Sequence, residues 1–571
     1  MCKRHRCAGA GAGGRHGESA FDELARQPLV PLELSRGGPG VAWVDADADG
    51  DPDLLIGAGA GGRAQLAVNE AGRLTDPVPV GAPAVGDHTS IIALPTSGHP
   101  VIIAGLSAWE ARSPADLDAI PPLARLDAGP APAVPPSRHA TGPLAAADVD
   151  GDGDLDLFAG ARATPGAYPL PADSRLLLAE GGDWVVDAEA AETLREVGLV
   201  SGAVFSDVDG DGDPDLLLAL EWASVRLLEN DGGRFSDATE DWGLAAHTGR
   251  WNGIATGDFN GDGRPDLAVT AWGTNTGRSA SPERPVGAVA SDFDGNGLVD
   301  LIEFETGADG VRRPVRDYLT LGRALPFLRR SAPTFETFAR SSVDDLLGAG
   351  RTGLYRTSAV TLLHTVFLNV GGRFEPRPLP AAVQLAPAFG VAVADFDRDG
   401  REDLFLAQNY FATPRGLGRH DAGRGGVLLG DGAGGFEVLD AGRSGVGVYG
   451  DARAAAVADF DADGRWDLAV GQNGAETVIF RGRGGAPGLR VRLSAGAAGA
   501  RLRPTYADGS EGPAREIQLG SGYWSFNGSV QVLGRAADIR SLTVRWPDGV
   551  EETFPVEAGA VEVTLRRSEG S

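Results

Sequence analysis

Carboxylates at one fixed spacing dominate the chemistry available to this chain. A nine-residue pattern with side-chain oxygens at positions 1, 3, 5 and 9 and glycine at position 6 occurs seven times. The first three copies are Asp45, Asp47, Asp49 and Asp53, then Asp148, Asp150, Asp152 and Asp156, then Asp207, Asp209, Asp211 and Asp215. The fourth is Asp258, Asn260, Asp262 and Asp266, and the fifth is Asp292, Asp294, Asn296 and Asp300. The last two are Asp395, Asp397, Asp399 and Asp403, and Asp459, Asp461, Asp463 and Asp467.

Oxygens at 1, 3 and 5 converge only if the backbone curls tightly, and glycine at 6 permits the curl because it tolerates positive φ. The carbonyl of position 7 and the carboxylate of position 9 then complete an oxygen shell suited to Ca²⁺. No His or Cys enters the pattern, which disfavours softer metals. An EF-hand needs Glu at position 12 and flanking helices. Here position 12 is Ile56, Ala159, Leu218, Val269, Glu303, Leu406 or Val470, and the flanks are strand-like. Solvated Asp/Gly turns without metal are the alternative, and seven repeats of one ligand register argue against them. The expectation is about six or seven Ca²⁺ sites.

Short strands must position these loops. An apolar strand enters each loop (Val41–Val44, Ala203–Ser206, Val391–Ala394) and another leaves it (Leu54–Ile56, Leu216–Leu218, Leu404–Leu406). A third often follows and ends in a glycine turn and an aromatic, as in Leu227–Phe235, Phe367–Phe374 and Val427–Phe436. Such a unit matches one blade of a propeller. The span Ser90–Gly105 reads as two strands of a blade without a metal loop. The Asp258 and Asp292 loops lie too close for two whole blades, so they are expected to share one. The predicted fold is all-β: a seven-bladed β-propeller, or alternatively an eight-bladed one, with a helical insertion and a small C-terminal β domain. The insertion covers about 305–355, where apolar residues recur at three and four and Ser342 with Asp345 reads as a helix-start cap. The domains are a disordered leader over 1–24, the propeller over 25–487 and the β domain over 488–568.

The chain has 571 residues and a net charge of −28, most of it carried by the loops. Without cations the loops would repel themselves, so folding is expected to be coupled to metal. Nucleic acid is excluded as a partner, because phosphate backbones need clustered Lys and Arg. No apolar run is long enough for a membrane span. The only cysteines, Cys2 and Cys7, sit in the leader, so disulfides do not hold the body together. The opening residues are basic but carry no apolar segment of a standard signal peptide.

The repeats resemble FG-GAP/VCBS repeats, as in integrin α-chain propellers. The tail, with Gly520-Ser-Gly-Tyr-Trp-Ser525 and Val544-Arg-Trp-Pro-Asp-Gly549, resembles the UnbV/ASPIC domain. The pairing is similar to bacterial proteins related to cartilage acidic protein. The resemblance implies a Ca²⁺-binding propeller, usually exported, used for adhesion or recognition.

Catalytic motifs are not found. The eight histidines form no zinc-hydrolase spacing, and there is no nucleophile elbow or phosphate loop. Paired carboxylates could mimic a glycosidase pair, but their register assigns them to metal. Trp43, Trp184, Trp222, Trp242, Trp251 and Trp272 could stack on sugars, although packing is the commoner role of such residues. The expected function is that of an extracellular, periplasmic or cell-surface protein, not an enzyme, that recognises a protein or glycan partner. The alternatives are an enzyme acting on extracellular polysaccharide and a purely structural matrix module.

Overall fold

The computed structural model describes residues 3–6, 16–96, 98–130, 132–348, 351–414, 418–494 and 496–568. Cys2 and Cys7 lie outside them, as do residues 349 and 350 of the expected insertion. The fold is mostly β, in many small antiparallel sheets.

Seven of these sheets follow one another along the chain. Their first strands are Val41–Val44, Asp87–Leu94, Ala140–Ala147, Leu199–Ser206, Ile254–Gly257, Ala388–Ala394 and Ala452–Ala458. Each first strand packs against the next, and Ala452–Ala458 packs back on Val41–Val44. Small side chains let the sheets converge here: Ala145, Ala392, Ala454 and Ala456 are fully buried. Larger residues fill the seams further out. Trp43 stacks on Phe460, with centroids 5.4 Å apart, and its Nε1–H donates to the Ala456 carbonyl at 3.2 Å, joining the first sheet to the seventh. Trp222, Trp242, Trp251 and Trp272 are likewise buried, while Trp184 is half-buried.

The second sheet, Asp87–Leu94, Val101–Ser107 and Leu123–Arg125, has the expected short turn and no metal loop. The pairing expected for the Asp258 and Asp292 loops does not occur. The fifth sheet runs Ile254–Gly257, Asp266–Val269, Thr365–Asn369 and Phe374–Pro378, so its second and third strands are almost a hundred residues apart in sequence. The intervening chain builds its own sheet (Val286–Ser291, Asp300–Thr306, Arg312–Pro314 and Tyr355–Ala359), which carries the Asp292 loop. The helices Tyr318–Ala324, Leu328–Ser331, Phe335–Arg340 and Val343–Leu347 lie between the strands Arg312–Pro314 and Tyr355–Ala359 of that sheet, the last with the expected Ser342/Asp345 capping box.

The leader departs from the composition-based expectation. Lys3–Arg6 pair antiparallel with Val478–Arg481 in the seventh sheet. Residues 16–36 form a strap whose His16, Glu23, Leu29, Val30 and Leu32 are buried. It packs with the inserted sheet, the helices, Trp222, Trp272 and Tyr410 in one apolar cluster.

The C-terminal domain is a pair of sheets, Leu489–Leu493/Gln531–Leu533/Glu562–Leu565 and Arg501–Tyr506/Arg515–Glu516/Ile539–Arg545/Glu551–Pro555. Between them, residues 516–528 run through the centre of the seven sheets. Ala146 N–H donates to Leu519 O at 2.9 Å, and Ser206 Oγ–H donates to Glu516. Ile254 and Gly522 exchange two backbone bonds of 3.1 and 2.7 Å. Ser525 and Phe526 pair in parallel with Val41 and Ala42. Asn527 accepts from Val457 N–H at 3.0 Å, and Phe526 packs among Ile91 and Ile92. Inner-edge backbone groups, costly to bury unpaired, are thus satisfied by one segment. Gly522 sits at φ 67°, and a Cβ there would lie 2.6 Å from the Val391 carbonyl. Gly522→Val is therefore expected to cost more than about 2 kcal/mol, read as a lower urea midpoint with an unchanged slope.

A second stability prediction concerns His364, which is fully buried. Its Nδ1 accepts from Ala271 N–H at 2.9 Å, so Nε2–H donates to Ala386 O at 3.0 Å. Burial lowers its pKa from 6.5 to about 4. The folded state then binds fewer protons than the unfolded one between those values. The resulting stability is fully present above pH 6.5 and is lost as pH falls toward 4, by about 3 kcal/mol in all. In Ca²⁺ buffer, His364→Gln should flatten the pH dependence of the urea midpoint across that window. An unchanged profile would assign the acid sensitivity elsewhere.

Candidate metal centres

Each loop joins the first and second strands of its sheet, and a common hydrogen-bond scheme shapes it. The position 9 carboxylate accepts the position 2 N–H in all seven loops, at 2.8–3.2 Å. Its other oxygen accepts an N–H from the third strand or the residues just after it in six loops, from Asn69, Ala179, Asn230, Asn369, Gly430 and Gly482. Position 9 therefore clasps the loop to the sheet. Each oxygen keeps a lone pair for a further partner.

Position 1 behaves differently. In six loops one oxygen accepts the N–H of the position 6 glycine at 2.9–3.0 Å. The other oxygen of Asp45, Asp148, Asp258 and Asp395 is buried and has no partner. Such orphaned carboxylate oxygens are expensive unless a cation meets them. Groups drawn from positions 1, 3, 5 and 9 converge to within 4.8 Å, among them Asp45/Asp47/Asp49, Asp148/Asp150/Asp156, Asp207/Asp209/Asp215, Asp292/Asp294/Asp300 and Asp395/Asp397/Asp399. Several acidic clusters can thus hold a metal ion, and an all-oxygen donor set with orphaned buried atoms fits a hard cation.

Electrostatics point the same way. Burial, and then the neighbouring aspartates, raise Asp53, Asp156 and Asp300 to about 6 and Asp215 to about 8. Asp266 rises to about 7 and Asp403 to about 9 from the same causes. These carboxylates ionise readily only beside positive charge.

The pattern of spacing leaves one requirement unseen. Position 4 also adopts positive φ: glycine serves in four loops, but Ala48, Arg398 and Ala462 take φ of 60°, 65° and 56°. Gly151, Gly210, Gly261 and Gly295 were its visible signal.

The C-terminal domain covers five of the six loops of the seven-sheet body. Arg492 donates to Gly50 O at 3.0 Å, and Arg545 Nη1 lies 2.8 Å from Asp207 Oδ2. The Asp207 loop departs from the common scheme accordingly: Gly210 N–H, not the position 6 glycine, binds its Oδ1. Ala514 N–H donates to Asp258 at 2.9 Å, Arg535 N–H to Arg398 O at 3.1 Å, and Arg490 Nε to Asp459 at 2.8 Å. Among the described residues, no hydrogen bond or ion pair joins the Asp148 loop to that domain. It faces a cleft of about 1110 Å³ between the second and third sheets and the C-terminal domain, lined also by Leu94, Val101, Trp184 and Trp546.

Comparison with known families identifies these parts. Residues 207–269 match the FG-GAP-like repeat, and residues 492–571 match the domain described as ASPIC and UnbV. The chain carries an FG-GAP-like repeat and an ASPIC/UnbV domain. The FG-GAP-like match starts at the Asp207 loop and ends in the strand after the Asp258 loop, so it bridges two sheets instead of coinciding with one. The ASPIC/UnbV domain contains the central segment and most of the arginines that reach the loops. No curated protein matches the chain. Among solved structures, BBS1N in complex with ARL6DN is similar at 9% identity and TM-score 0.36, over 83% of this chain and 99% of that one. Rhamnogalacturonan lyase YesW gives 12% and 0.26, over 82% and 90%. The Bacillus licheniformis rhamnogalacturonan lyase PL11 gives 13% and 0.26, over 98% and 92%. Among the described residues, no helix is long and apolar enough to cross a membrane.

Proposed function

We propose that this protein is an exported, calcium-loaded, seven-bladed β-propeller that binds a partner without transforming it. The seven consecutive sheets, each packed on the next, support the blade count. The oxygen-only loops with orphaned position 1 oxygens support Ca²⁺ as the ion at the residues named above. Bound ions would make the loop face rigid and offset its charge.

The observation that carries the recognition reading is the cleft beside the Asp148 loop. The second sheet lacks a metal loop, and the short turn in its place leaves room that the C-terminal domain does not fill. The half-buried Trp184 offers an aromatic wall, and aspartates line the side of the third sheet. An aromatic face beside polar groups suits a glycan over a flat protein surface.

A glycan array probed with the Ca²⁺-loaded chain tests the reading. The expected result is saturable binding without product release, lost in Trp184→Ala and in chelator. Binding that survives Trp184→Ala would move the ligand out of the cleft. Product release would make the protein an enzyme, and silence on every glycan and on surface extracts would favour a structural matrix role.

A further inference from the structure

Two large apolar side chains stand out from the helical insertion: Phe335 is 63% exposed and Leu319 is 48% exposed. The Phe335 ring meets Tyr318 edge-on, with centroids 4.8 Å apart, and Tyr318 also meets Phe338 at 5.3 Å. Tyr318 begins the helix Tyr318–Ala324, on which Leu319 and Arg323 are neighbours one turn apart. Gly322, one turn on from Tyr318, makes room for an arginine of the next helix: a Cβ there would lie 3.0 Å from Arg329 Nε. Contacts therefore run from Phe335 over Tyr318 to Arg329, with Leu319 and Arg323 on the adjoining row. On the other side of these helices Leu321, Leu325, Leu328 and Leu346 are buried in the cluster shared with the strap. The insertion thus spends one apolar side on the body and still shows a second to solvent.

Charge on this surface runs against that of the chain. Arg323, Arg329 and Arg330 are exposed, and among the described residues no hydrogen bond or ion pair engages their guanidinium groups. The acids of the insertion are already used. Asp317 accepts from the N–H groups of Leu319 and Thr320 and from Thr320 Oγ1. Glu336 pairs with Arg340 at 2.9 Å, Asp344 pairs with Arg356 at 2.6 Å, and Asp345 closes the capping box with Ser342. In the sheet beneath, Asp309 pairs with Arg313, and Glu303 lies between Arg278 and Arg316. The Asp292 loop comes up to the insertion through Phe293, whose ring meets Phe327 at 6.2 Å, and Arg351 lies over both rings. Three free guanidinium groups thus stand beside exposed apolar side chains, in a chain whose net charge is −28.

We propose that this face of the insertion docks on an anionic lipid surface. Phe335 and Leu319 enter the boundary between headgroups and acyl chains, and Arg323, Arg329 and Arg330 meet lipid phosphates. Projecting apolar side chains flanked by unpaired cations are what an interfacial element needs. A soluble acidic glycan would satisfy the arginines but offers no apolar layer for Phe335 and Leu319 to enter. The apolar cluster under the helices also holds Ala140, Ala163 and Leu199, at the ends of their strands away from the metal loops. Docking here therefore leaves the C-terminal domain and the cleft turned away from the lipid. It requires neither a glycan in that cleft nor an ion in any loop.

Sedimentation of the full chain with vesicles provides the test. Binding is expected to vesicles made of equal parts phosphatidylcholine and phosphatidylglycerol, and should fall as salt is raised. Vesicles of phosphatidylcholine alone should bind little. Each arginine is expected to contribute about fivefold in apparent affinity, so Arg323→Gln, Arg329→Gln and Arg330→Gln together should cost about a hundredfold. Phe335→Ser should cost about tenfold. All four side chains are exposed, so the variants should keep the melting temperature of wild type. No binding to the mixed vesicles, or equal binding to both kinds, would overturn the proposal. Binding that the triple variant retains would do the same, by placing the lipid contact elsewhere. Binding of soluble polygalacturonate through these arginines, with the vesicles ignored, would make the face a polyanion site instead. Self-association in sedimentation velocity that the same variants abolish, again with the vesicles ignored, would make its occupant a second copy of the chain.

Discussion

Chelation is expected to lower the melting temperature by about 10 °C or more, and Ca²⁺ but not Mg²⁺ should restore it. An ion present at a hundred times its dissociation constant contributes about 2.7 kcal/mol. Six such sites contribute about 16 kcal/mol, which the unfolding entropy of a chain this long converts to about 13 °C. The physical source is the set of orphaned position 1 oxygens and the buried position 9 carboxylates, which ionise readily only with a cation bound beside them. Scanning calorimetry with Ca²⁺, with Mg²⁺ and with chelator, alongside ion content, gives the answer. Identical melts in all three would reduce the loops to hydrogen-bonded turns and remove the basis for a metal-rigidified face.

Replacing Glu221 should be among the most damaging single changes. Its carboxylate, 1% exposed, accepts from Arg162 Nη2 at 2.7 Å, Arg250 Nη2 at 2.7 Å and Tyr168 Oη at 3.0 Å. Arg250 is held between the rings of Trp222 and Trp272, at 4.5 and 4.1 Å. Glu221→Leu leaves two guanidinium groups buried without a counter-charge, at a cost of about 3–5 kcal/mol. The cluster ties the third sheet to the fourth and to the strand Gly249–Arg250, so the seam between sheets should loosen with it. Urea titration followed by tryptophan fluorescence reads both effects, since Trp222 and Trp272 report on the cluster directly. Glu221→Leu combined with Arg162→Met removes one orphaned cation and should recover part of the loss. A double variant no more stable than the single one would mean that Arg162 finds another partner.

Much of this architecture is legible in the residues. Seven copies of one ligand register, each bracketed by short apolar runs, locate the loops and the strands they join. The run Ser90–Gly105 shows a sheet without a loop because its two strands are apolar even though the carboxylates are missing. The fifth sheet misleads for a definite reason. Asp258 and Asp292 are close in sequence, but the strand that pairs with Asp266–Val269 is Thr365–Asn369, and no local pattern reveals a partner beyond a long insertion. The double use of position 9 is equally invisible, since one of its bonds comes from the third strand. The leader reads as disordered from its Gly and Ala content, yet a few residues such as His16 and Glu18 anchor it through hydrogen bonds to Gly57 and Asn473, distant in sequence. The tail motif around Gly520 and Gly522 marks a domain, but its glycines are explained only by carbonyls of Leu144 and Val391 passing close by.

The central segment has a consequence for how the molecule is made. Residues 516–528 follow all seven sheets in the chain and leave the ribosome after them, and every one of the seven sheets takes contacts from them. Until they arrive, each completed sheet waits with an inner edge that can pair with a foreign strand. A nascent chain is therefore most vulnerable just before this segment is made. A product truncated before residue 516 would keep all seven sheets and all seven loops yet lack the piece that locks them together. This late segment thus acts as a check on synthesis, since only a chain that contains it can close its own interior.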